Sequence, residues 1–234
     1  MRIWIEFAKQ QPLRYLSHLD LMRLWQRAIR RAGLPVVYSL GFNPHPKMSF
    51  ASALPVGVIS DAEYLDIQFA KDISEQDLIT LQNVLPIGLL ISGWRIVPES
   101  VPALMALVRA VTWVMPLDEP IVTVQATIEQ LLATTELLVE RKGKKGIKTV
   151  NIRPFIYKLQ VEEETARLLM LLASGGEGGT KPRELLELLQ VHPDSNLRRT
   201  ETLLEVNAVL QSPMAVLLKE KEVSINAKEN HYQL

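Results

Sequence analysis

The sequence predicts an α+β fold: tandem ferredoxin-like (split βαβ) domains, with antiparallel sheets carrying helices on one face. Three observations predict it. Apolar periodicity switches between two and 3.6 residues in the order β-α-β-β-α-β across residues 1–98. Pro98 and Pro102 then punctuate the chain, and a comparable alternation runs through residues 99–213, with no residue-level repeat between the halves. Finally, 234 residues of which 47% are hydrophobic suffice for one large core or two small ones.

In the first domain, "RIWIEF" alternates, with Ile3, Ile5 and Phe7 on one side and Arg2, Trp4 and Glu6 on the other, as in a half-buried strand. Ser17 is a good N-cap for a helix whose apolar stripe is His18, Met22, Trp25, Ile29 and Ala32, and Gly33 followed by Pro35 stops it. "PVVYS", "KMSFASAL" and "AEYLDIQFA" read as extended pieces. Ser74 caps a second helix through Leu78, Leu81 and Leu85, and "GLLISGWRIVP" closes the unit as a strand. In the second domain "VRAVTWVMPL" reads as a strand and "TVQATIEQLLAT" as a helix. "ELLVER" and "KTVNIRPF" form a hairpin around "KGKKG", with another extended segment near 152–161. "ARLLMLLAS" is a strand, "KPRELLELLQ" a helix and "LRRTETLLEV" the closing strand. Residues 214–234 read as an edge strand or tail.

Composition narrows the chemistry. Cysteine is absent, which excludes disulfides, thiolate zinc sites, cysteine-ligated iron–sulfur clusters and a cysteine nucleophile. His18, on the apolar stripe of its helix, reads as a core or cap residue, and His192 and His231 lack partners at metal spacing, so no metal site is expected. Glu63 and Asp66, three apart on a strand, face opposite sides and do not form a carboxylate pair. With 26 basic and 26 acidic side chains the chain is not globally basic, so any nucleic-acid affinity must come from local charge. The N-terminus lacks a signal-peptide pattern and no apolar run reaches membrane-spanning length, so a cytoplasmic protein without a membrane partner is expected.

Four constellations are candidates for function. In "GFNPHPKMSFA", Pro44 and Pro46 restrain the residues before them, pre-aiming Asn43, His45 and Lys47. The three point the same way if the segment is β-like and fan out if it is polyproline II. They suit contact with a phosphate or carbonyl, and His45 suits acid–base work; the plain alternative is a stiff support for the next strand. Arg23, Arg27, Arg30 and Arg31 lie opposite the apolar stripe of the first helix and can make bidentate phosphate contacts, or form an ordinary solvated face. Arg141, Lys142, Lys144, Lys145, Lys148 and Arg153 make a basic hairpin finger suited to a nucleic-acid backbone, or lysines that protect an edge. Gly175, Gly176, Gly178, Gly179 and Lys181 lead from a strand into a helix and can cradle an anion, or form a flexible turn; neither the Walker A nor the dinucleotide-binding glycine spacing is present.

"LRYLSHLDLMRLWQRAIRRAGLPVVYSLGFNPHPKMSFASALPVGVISDAEYLDI" resembles the radical-SAM-associated bacterial domain family of uncharacterised function. The likeness is specific over residues 13–67 and continues loosely through "ERKGKKGIKTVNIRPFI" and "SGGEGG". It implies an accessory module beside a radical SAM protein, with S-adenosylmethionine and an iron–sulfur cluster only in that partner or in a preceding region, because the cluster needs three cysteines. It supplies no catalytic residues to transfer. At fold level the chain also resembles CRISPR RNA-processing endonucleases of the RAMP type, which implies a metal-independent ribonuclease using His45, Lys47 and Tyr38. Three functions follow: an RNA-binding accessory module using a basic face, a protein-interaction domain docking the radical SAM partner without nucleic acid, and that ribonuclease. The sequence favours a binding role over an enzyme acting on its own.

Overall fold

In β1 (Arg2–Lys9) Ile3, Ile5 and Phe7 share one face, and Trp4 on the opposite face is as fully buried as they are. The half-buried strand expected from the alternation is therefore covered on both faces. This follows from the rest of the architecture, seen in a computed structural model that describes residues 1–143, 146–175, 178–192 and 196–216. Lys144, Lys145, Gly176, His231 and the segment 217–234 lie outside the described residues.

The fold is mixed α+β, with five helices and a nine-stranded, mostly antiparallel sheet among the described residues. After β1 come α1 (His18–Arg31), β2 (Met48–Phe50), β3 (Ile59–Gln68), α2 (Glu75–Val84) and β4 (Leu89–Val97). Then follow α3 (Leu104–Leu107), β5 (Val108–Pro116), α4 (Ile121–Ala133), and the separate hairpin of β6 (Leu138–Gly143) and β7 (Gly146–Asn151). The chain continues through β8 (Ile156–Glu162), β9 (Arg167–Ala173), α5 (Pro182–Leu188), β10 (Arg198–Val206) and β11 (Val209–Gln211). Strand order across the sheet is β4-β1-β3-β10-β5-β9-β8, with β2 added to β3 and β11 to β10. Strands from residues 1–98 and from residues 99–213 thus share one sheet. They are joined where β10 pairs parallel with β3, Arg198 opposite Ile59 and Arg199 opposite Ser60.

Three apolar clusters hold the layers. Ile3, Ile5 and Phe7 pack with Trp25 and Ile29 of α1 and Leu78 and Leu81 of α2. Trp113 and Met115 of β5 pack with Val124 and Ile128 of α4 and Leu185 and Leu186 of α5. Trp4 and Tyr64 pack on the other side of β1 and β3 against Leu104 and Leu107 of α3 and against Val216. Helices were expected on one face only; α3 departs from that because the linker after β4 folds back. Arg2 holds it there, binding Asp66 at 2.8 and 2.7 Å and also the carbonyls of Val101 and Pro102, while Asp66 accepts from the Leu104 N–H.

Candidate nucleic-acid interface

The site begins with the ends of α1. Ser17 has extended backbone geometry and its hydroxyl accepts from the Asp20 N–H at 3.2 Å, satisfying a donor the first helical turn leaves free. At the other end Gly33 adopts φ +71°, a left-handed conformation that a β-carbon disfavours. This lets the Leu34 N–H reach the Ile29 carbonyl at 3.1 Å and the Gly33 N–H reach Arg30, so the terminal carbonyls are satisfied within the chain. Trp25, Ala28 and Ile29 are buried, whereas Arg23, Arg27, Arg30 and Arg31 are exposed. Arg23 makes an exposed pair with Asp20 at 3.4 Å. Among the described residues, the side chains of Arg27, Arg30 and Arg31 have neither an ion-pair nor a hydrogen-bond partner.

The Pro-bracketed loop is the tip of a narrow hairpin. The Ser39 N–H donates to the His45 carbonyl at 2.8 Å, the Lys47 N–H to Val37 at 2.7 Å, and the Val37 N–H to Gln68 at 2.8 Å. The His45 N–H donates to the Ser39 hydroxyl at 3.0 Å. "PVVYS" was expected as a strand, but only the bridges Val36–Phe69 and Tyr38–Pro46 form. The ladder goes no further because the reciprocal donors are used elsewhere, the Val37 N–H on Gln68 and the His45 N–H on the Ser39 hydroxyl. The segment is tied through backbone bonds to Val37 and Ser39. Its tip exposes Leu40 and Phe42 completely.

Helix and hairpin face each other across a cleft of about 470 Å³, lined by Gln26 and Arg30 from α1 and by Tyr38, Pro44, His45 and Met48 from the hairpin side. Among the described residues no acidic one lines it. Two separate sequence constellations, the arginine face and the proline loop, therefore meet here. Arg30, Tyr38 and His45 come together; Arg23, Arg27, Arg31, Asn43 and Lys47 are exposed nearby in sequence but do not line the cleft.

The other two constellations have largely structural contacts. Arg141 forms a bidentate pair with Glu184, at 2.8 and 2.7 Å, and also donates to the Gly179 carbonyl at 2.7 Å, fastening β6 to α5. Arg153 donates to the Leu132 carbonyl at 3.1 Å. Lys142 and Lys148 remain exposed without partners among the described residues. The glycines serve close packing. A β-carbon at Gly175 would sit 2.6 Å from the Val108 carbonyl oxygen, one at Gly179 2.6 Å from that of Ala173, and one at Gly178 2.7 Å from the Phe155 ring. Glu184 accepts from the Lys181 N–H at 2.9 Å, so the start of α5 already has its anion. Burial works against ionisation of Glu184, but Arg141, the Lys181 N–H and the Thr180 hydroxyl outweigh it and hold its pKa below the ordinary value.

Sequence reasoning missed a buried charged group where β1, β3 and β10 meet. Lys9 is 1% exposed; its Nζ donates to the carbonyls of Arg14 at 2.9 Å, Leu16 at 3.3 Å and Val58 at 3.4 Å, and burial lowers its pKa. Arg14 donates to the Gly57 carbonyl from two nitrogens. Arg199 binds Glu63 at 2.9 Å, Ser52 at 2.7 Å and the Ala53 carbonyl at 2.9 Å, with its guanidinium 4.8 Å from the centre of the Trp113 ring. The only sequence signal was a charge at an inward strand position, as at Glu63. Elsewhere, burial and a bond to Glu6 keep the Tyr64 phenol protonated well above its usual range.

The model of the family described as "Uncharacterized protein conserved in bacteria (DUF2344)" matches residues 2–182, and the chain belongs to that family. That match contains the arginine helix, the hairpin and the cleft between them. No curated protein matches the sequence. Among the described residues no group of three His, Cys, Asp or Glu side chains is placed to hold a metal, and no helix is long and apolar enough to cross a membrane.

Proposed function

We propose that the chain is an RNA-binding accessory module that works beside a radical SAM protein. One observation carries the RNA reading: arginines of α1 that lack a partner among the described residues adjoin a cleft that Arg30 shares with His45 and that no carboxylate of the described residues lines. Guanidinium groups without internal partners suit phosphate oxygens, and such contacts are electrostatic and salt-dependent. The radical SAM partnership rests on the sequence resemblance over residues 13–67. The cysteines that an iron–sulfur cluster needs are absent from this sequence, which supports a cluster and S-adenosylmethionine held by a partner or by a preceding region.

The architecture that presents the cleft is read as tandem split βαβ units, 1–98 and 99–213, with 214–234 as a terminal segment. In support, β1-α1-β2-β3-α2-β4 has strand order β4-β1-β3 with β2 on β3, and β5-α4-β8-β9-α5-β10 repeats it as β10-β5-β9-β8. The β6–β7 hairpin is an insertion in the second unit.

Nitrocellulose filter binding of cellular RNA across a salt series tests the proposal. Affinity that falls with salt, and falls further in an Arg27→Gln, Arg30→Gln, Arg31→Gln variant, is expected; salt-independent or absent binding refutes it. The fully exposed Leu40 and Phe42 favour a second reading, in which the hairpin tip docks the radical SAM partner without nucleic acid. Co-purification with that partner from nuclease-treated lysate, lost in Phe42→Ala, is its test.

A further inference from the structure

We infer that the cleft between α1 and the hairpin takes one unpaired nucleotide of a single-stranded RNA, its base against the hairpin's aromatic side and its phosphate on Arg30. The inference rests on the RNA-binding reading above and specifies its ligand. The cleft volume of about 470 Å³ is that of a small-ligand site and not of a groove along a duplex. Its polar lining is neutral or basic throughout: Gln26, Arg30, Tyr38 and His45. Arg30 has no partner among the described residues, and His45 stands on the opposite wall with its backbone fixed on both sides by Ser39.

The hairpin tip decides between single strand and duplex. Phe42 does not line the cleft; it lies in the chain between the cleft-lining Tyr38 and Pro44 and is fully exposed, on a segment pinned by backbone bonds and two prolines, where it receives the base next to the one in the cleft. A duplex presents phosphates and groove edges, and its base faces are already stacked on one another. Only an unpaired base offers a free π-face to such a ring. Arginine beside exposed aromatic side chains is the chemistry by which single strands are held with little sequence preference.

Fluorescence anisotropy with the full chain tests this, using a labelled uridine-rich single strand and an annealed RNA duplex of the same length, each across a salt series. The single strand is expected to bind roughly tenfold or more tightly than the duplex, and Phe42→Ala to weaken it about tenfold with an unchanged salt slope, while Phe42→Tyr restores it. Arg30→Gln should lower the salt slope by about 0.7. Phe42 touches no core, so its loss leaves folding intact, as the circular dichroism spectrum would verify. Equal binding of strand and duplex, or indifference to Phe42→Ala, overturns the single-nucleotide inference while salt-dependent binding keeps the parent reading. Absence of salt-dependent binding to either RNA overturns both.

Discussion

Arginines occupy two contrasting places in this molecule. Where β3 meets β10, Arg199 is 2% exposed and has a carboxylate, a hydroxyl, a carbonyl and an aromatic face around it. On α1, Arg27, Arg30 and Arg31 are exposed and have no hydrogen-bond or ion-pair partner among the described residues. A desolvated guanidinium is tolerable only when most of its donors are matched (Arg199 leaves its Nε without a partner among the described residues), so interior arginines declare their role through their contacts. A solvated one needs no partner, and several on one helix face constitute a field available to something outside the chain. Arg141 belongs with the first group although its neighbours in sequence resemble the second.

This contrast can be broken by substitution. The largest effect is expected at the join: Glu63→Ala leaves Arg199 charged and buried, and urea denaturation should show a loss of about 3–5 kcal/mol. Replacing both, as Glu63→Leu with Arg199→Met, should recover most of it, because the penalty comes from the unpaired charge. Next is Gly179→Ala, whose new methyl group meets the Ala173 carbonyl; a loss of about 1–3 kcal/mol is expected, with RNA affinity unchanged. RNA affinity lost without a change in stability would instead make that loop an anion cradle.

Glu184→Gln should have a smaller effect, read from pH dependence. The folded-state pKa of Glu184 is lowered, so the stability it contributes is fully present above the ordinary value of 4.5 and disappears as pH falls through the lower folded value. The variant should be less stable at neutral pH and should flatten the acid limb of the stability curve below about pH 4.5. The smallest stability change is expected for Arg27→Gln, Arg30→Gln, Arg31→Gln together, within about 0.5 kcal/mol per site. The same variant should show the largest loss of RNA affinity, the opposite ranking to Glu63→Ala.

What could be read from the sequence was local. The start and end of α1 were legible because Ser17 and Gly33 act within one helical turn, and α2 for the same reason at Ser74. The strands β1 and β3 were legible because period-two alternation survives in Ile3, Ile5 and Phe7 and in Leu65 and Ile67. The burial of Trp4 was not, since its cover, α3 and Val216, comes from distant segments. The arginine face and the proline loop were each visible, but their meeting depends on how α1 returns along Leu34 and Pro35 into the hairpin. The glycine loop misled because a glycine needed for close packing and one needed to receive an anion are the same letter. Arg141 misled likewise: its partner Glu184 lies 43 residues away.

The parallel contact of β10 with β3 also has a consequence for how the protein is made. A ribosome releases β3 long before Arg198 emerges, at roughly 5–20 residues per second, so for many seconds the nascent chain carries β3 without its final neighbour. The short β2 covers only the far end of that edge, at Phe50–Leu65 to Met48–Ile67. During translation the stretch Ile59–Ser60 is therefore an unfilled place in the sheet, and synthesis of the last strand of the second half completes the first.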